Sequence, residues 1–136
     1  MAQESIKVVE VTVVTEDGIP EIHARPSTEK IPYEWSGLVV WMLMTPGWRF
    51  ADDGVQFRQD IPGWTRPELQ LDGEHTDCFI SSVSSKRPKG SWHYDLHIVS
   101  ELANLNLHHD PVIENEAPPA PITGGSAARE SDRTAV

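Results

Sequence analysis

One cysteine in 136 residues excludes an internal disulfide and any CxxC metal pair. Basic residues are also scarce, 11 Lys and Arg against 21 Asp and Glu, for a net charge of −10. Phosphate backbones are bound by cations that displace counterions, so this balance argues against a nucleic-acid partner and for plain solubility. No apolar run approaches the roughly 18 residues of a membrane span, so no membrane contact is expected. The N-terminus MAQESIKVVEVTVV alternates apolar and polar residues where a leader would carry a basic and then an apolar block. A cytoplasmic protein is therefore expected. There is no nucleophile elbow and no glycine-rich helix start, so no enzyme is expected, and no cofactor.

What is abundant is punctuation. Eleven prolines and nine glycines are spread along the chain, between runs too short for helices. Ile6–Val14 carries β-branched residues with Lys7, Glu10 and Thr12 among them. Glu16-Asp17-Gly18, Pro46-Gly47 and Asp53-Gly54 read as turns. Leu38–Thr45, LVVWMLMT, is the most apolar run and reads as a buried strand. Val55–Arg58, Glu68–Leu71 and Asn104–His108 are further strand candidates, Ser27–Ile31 a short edge strand, and Val112–Asn115 a closing segment. The pattern predicts an all-β, Greek-key β-sandwich of seven to eight short strands. It is expected to occupy residues 1–116, followed by a disordered tail over 117–136, which has no aromatic residue.

The richest stretch is Cys78–Ser100, CFISSVSSKRPKGSWHYDLHIVS. Its two alternating runs flank a basic tip, Lys86-Arg87-Pro88-Lys89-Gly90, and read as a β-hairpin. With Val83 opposite Trp92, one face collects Phe79, Ser81, Tyr94 and Leu96 as a core layer. The other face sets Ser82 beside His93, Ile80 beside Asp95, and Cys78 beside His97.

That second face supplies the candidate chemistry. His93, Asp95 and His97, with Cys78 as a thiolate, present ligand types suited to Zn or Cu(II). The same grouping read as catalysis is a Cys78–His97 dyad oriented by Asp95. Against both stands the plain alternative of a polar sheet face in water, because alternate side chains on a strand diverge. The basic tip either meets an anionic partner or is a solvated loop end. Trp35, Trp48 and Trp64 lie in or beside loops, where they either form a binding platform or plug the sandwich ends.

Two resemblances add to this. IHARPSTEKIPYEWSGLVVWMLMT, with Trp41 in an apolar strand after a proline-containing edge, resembles the opening of a cupredoxin-like or immunoglobulin-like sandwich. A type 1 copper site pairs its Cys with a His and a Met within a few residues. Here Cys78 is followed by FISSVSSKRPKGSW, and Met42 and Met44 lie upstream, so the resemblance implies the fold without the copper site. Trp41, PGWRF with Asp53-Gly54-Val55, YDLHIVS and the closing DPVIEN together are similar to small bacterial proteins of unknown function. Those share a D-P-x-I-x-N close, and they imply no activity. The expected function is a non-enzymatic interaction module binding an unknown protein partner or itself as a homo-oligomer. The alternative is metal binding through His93, Asp95 and His97.

Overall fold

The computed structural model describes residues 5–70 and 78–118. The described chain is all-β, with ten strands in two mixed sheets. The first sheet runs β2 (Ile19–Arg25), β1 (Ile6–Glu16), β4 (Gly37–Leu43), β7 (Cys78–Val83), β6 (Glu68–Gln70). The second runs β3 (Thr28–Ile31), β10 (Val112–Asn115), β8 (Gly90–Ser100), β5 (Trp48–Phe57), with β9 (Asn106–His109) also pairing β8. The β1–β4 and β3–β10 pairs are parallel and the others antiparallel. Ten strands replace the expected seven to eight. Strands of three or four residues, such as β3, β6 and β10, are too short to show a period of their own. The tail expected over 117–136 lies outside the described residues from 119 onward, and Leu71–Asp77 is outside them too.

Turn chemistry decides several connections. Asp17 and Gly18 both have positive φ (52° and 77°), as a two-residue hairpin turn between β1 and β2 requires. Gly47 at φ 88° bears out the Pro46-Gly47 turn. Asp53-Gly54 differs from expectation. It lies inside β5, where the pairing to β8 shifts register between Phe50 and Val55, so it forms a bulge and not a chain reversal.

The core fills the space between the sheets. Trp41 of β4 is fully buried, edge-on to Tyr94 of β8 at 5.6 Å and to Phe57 of β5 at 6.3 Å. Its indole Nε1 donates to the Tyr94 hydroxyl at 2.9 Å. Phe50 and Phe79 meet edge to face at 5.1 Å, joining β5 to β7 across the core. Glu29 also points inward. It is 6% exposed, and burial raises its pKa while the Lys7 charge opposes the shift.

The stretch Cys78–Ser100 is not a hairpin. β7 is flanked by β4 and β6, and β8 by β5 on one side and β10 and β9 on the other, so each strand is already paired on both sides. The inner faces of Phe79, Ser81, Val83 and of Tyr94, Leu96, Ile98 look at each other across the core. A period of two reports which residues of a strand share a face. It does not report whether two such faces lie side by side in one sheet or stack across two.

Candidate functional site

Separating β7 from β8 dissolves the proposed ligand set. Cys78 sits on the first sheet opposite Met42 and Gln70, away from His97. His93, Asp95 and His97 do share the outer face of β8, but alternate residues there lie ~6.8 Å apart and each turns to its own neighbour. Arg58 grips Asp95, with Nη2 at 2.9 Å and Nε at 3.2 Å. Nδ1 of His93 lies 3.3 Å from the Asp110 carbonyl. Among the described residues, no group of three or more His, Cys, Asp or Glu side chains is placed to hold a metal ion. The Cys78–His97 dyad fails for the same reason.

His97 is nonetheless unusual. Its Nδ1 is 2.7 Å from Asp53 Oδ1, its Nε2 is 2.9 Å from Asn106 Oδ1, and its ring stacks on His108 at 4.2 Å. A doubly protonated ring donates to both oxygens, one at each nitrogen. Partial burial works against that charge, but the bonds to Asn106 and Asp53 outweigh it and raise the His97 pKa. The bond from His97, foremost, lowers that of Asp53. The pair therefore stabilises the fold between two limits. The Asp53 contribution is lost as pH falls through its lowered pKa, and the His97 contribution as pH rises through its raised one. Replacing Asp53 by asparagine is expected to move the His97 titration down towards an ordinary histidine value, read from its ring proton shifts by NMR. An unmoved titration means that Asp53 does not hold the proton. The bulge in β5 places Asp53 here, and the sequence offered no spacing that would have found it.

The basic tip divides. Lys86 and Lys89 are exposed, but Arg87 is 2% exposed. Its guanidinium donates from Nε to Asn115 Oδ1 at 3.1 Å and from Nη1 to the Trp35 carbonyl at 2.7 Å. It also donates to the Ser84 and Pro32 carbonyls. Asn115 Oδ1 accepts as well from Trp64 Nε1 at 3.0 Å, and its Nδ2 donates to the Pro62 carbonyl at 3.3 Å. Arg87 and Asn115 thus tie together three loops at one end of the molecule. Gly63, at φ 85°, lies against the Arg87 stem, where a Cβ would come within 2.3 Å of Cγ.

The loop tryptophans form no platform. Trp64 is 8% exposed and belongs to the core, 6.5 Å from Trp41. Trp35 and Trp48 are half-buried against that core. Trp35 carries the Lys7 ammonium over its ring at 5.3 Å. It precedes β4 at the Arg87 end, whereas Trp48 follows β4 and pairs with Ser100 at the other end.

A surface that the sequence reading missed is the outer face of the first sheet. The registers align two rows across it: Arg25–Glu10–Met42–Cys78–Gln70, and Val8–Val40–Ile80–Glu68. Ile6 and Leu38 pair just beyond Val8 and Val40. The middle three strands therefore show Ile6, Val8, Leu38, Val40, Met42 and Ile80 as one apolar patch. Val8 is 41% exposed, Met42 37% and Ile6 58%. The signal was present in the runs KVVEVTVV and LVVWMLM, which are apolar at successive positions and so on both faces of a strand.

No protein-family model matches the sequence, and no curated protein matches it. Among solved structures, the chain is similar to the cysteine protease inhibitor EhICP2 from Entamoeba histolytica. Identity is 10% and the TM-score 0.36, with 83% of this chain and 97% of that one covered.

Proposed function

We propose that this domain is a non-enzymatic interaction module that binds a protein partner or a second copy of itself. The observation that carries the reading is the bare apolar face of the first sheet, a patch larger than isolated surface apolar residues account for. It replaces the loop tryptophans as the binding surface. The same reading takes the two-sheet architecture as a Greek-key relative of immunoglobulin-like or cupredoxin-like sandwiches. It places the protein in the cytoplasm, in keeping with a chain of one cysteine, and, on the acidic balance, away from nucleic acid and membranes. Among the described residues, no helix is long and apolar enough to cross a membrane.

The test compares the full chain with Val8→Glu/Met42→Glu, whose two sites are exposed enough to accept charge without unfolding. Self-association by sedimentation and capture of proteins from source cells are measured for both. Interactions present in the parent chain and absent from the double variant support the reading. A parent chain that binds nothing, itself included, overturns it. An interaction that the double variant keeps removes this face as its seat.

A further inference from the structure

The geometry points to a second copy of this chain as the occupant of that face, which rests on the module reading and names its partner. Consider a two-fold axis between two such faces, parallel to β4. It sets Val40 and Met42 of one copy against the same residues of the other, and carries β1 over β7 and β2 over β6. Arg25, on β2 at the end of its row, then comes over Gln70 of the other copy, with Glu68 one row (~6.8 Å) along β6 and within reach of the long arginine side chain. The symmetry repeats the Arg25–Glu68 meeting on the opposite side. An apolar centre is thus closed by two complementary charge pairs, the self-complementary arrangement that a two-fold interface demands.

Charge and area agree with this choice. The chain carries −10 overall, yet the two rows contain only Glu10, Glu68 and Arg25 as charged groups, for a net −1. Two copies therefore meet at a part of the surface that holds few of their acids. The three rows span five, four and three strands, and at ~4.8 Å by ~6.8 Å per position they give a footprint of about 400 Å². That area lies at the small end of specific interfaces, so the dimer is a weak, reversible one.

Sedimentation equilibrium of the full chain from about 10 µM to 1 mM tests the inference across the range of weak association constants. A monomer–dimer equilibrium is expected, weakened at least tenfold by Val8→Glu/Met42→Glu. Arg25→Glu is expected to weaken it too, and Arg25→Glu/Glu68→Arg to restore it. Circular dichroism of each variant separates lost association from lost fold. A chain that stays monomeric to 1 mM overturns the dimer and leaves the face to a different protein or to residues 119–136. The module reading survives that result if capture still depends on the face. A dimer indifferent to Val8→Glu/Met42→Glu, or a charge swap that fails to restore association, also overturns the proposed geometry.

Discussion

Replacing Arg87 by methionine is expected to lower the free energy of unfolding by about 3 kcal/mol, measured by urea denaturation. Methionine keeps most of the apolar stem, so the loss reports the guanidinium. That group satisfies the Asn115 side chain and the carbonyls of Pro32, Ser84 and Trp35 at once. Pro32 and Ser84 are exposed and regain water when Arg87 is lost, which keeps the cost below the sum of the bonds. Burial lowers the Arg87 pKa, but an arginine keeps its charge under these conditions. Lysine at this position retains the charge and loses the planar fork, so Arg87→Lys is expected to fall between wild type and methionine. A loss under about 1 kcal/mol for Arg87→Met would mean that the three loops are held by their own backbone bonds.

Replacing Trp41 by alanine is expected to cost about 4 kcal/mol, the transfer term of a fully buried indole plus the cavity left between the sheets. Trp41 meets Tyr94, Phe57 and Trp64, so few neighbours can close the space. A gentler pair of changes isolates its hydrogen bond. Tyr94→Phe leaves the indole N–H buried without its acceptor and is expected to cost about 1–2 kcal/mol. In a Trp41→Phe background, where no N–H remains, the same change is expected to cost much less. Equal costs in both backgrounds would show that the bond carries no net stability, and that Tyr94 acts there by packing alone.

These two sites differ in how far they could be foreseen. Trp41 announced itself, since an apolar run between Gly37 and Pro46 buries at least one of its faces and its tryptophan is the largest side chain in it. Arg87 did not. In KRPKG it looks like any solvated cation, and only the crossing of the 84–89 link over the end of the molecule surrounds it with carbonyl groups. The outer face of the first sheet is intermediate. Its residues were visible as two-sided apolar runs, but the registers of β1, β4 and β7 were needed to set Val8, Val40 and Ile80 in one row.

Local alternation, turn residues and the absence of long helical patterns suffice for the all-β class, because they act within a few residues of chain. The turns at Asp17-Gly18 and Pro46-Gly47 follow from the φ angles those residues accept, with no reference to the rest of the fold. Which strands become neighbours does not follow from them. Pairing is a contest among all edges for backbone hydrogen bonds and among all faces for the core, and it is settled over the whole chain at once. That contest sent β7 and β8 into different sheets, parted Cys78 from His97, and carried Asp53 on its bulge to His97. It also turned Trp64 inward and left the apolar face of β1, β4 and β7 bare.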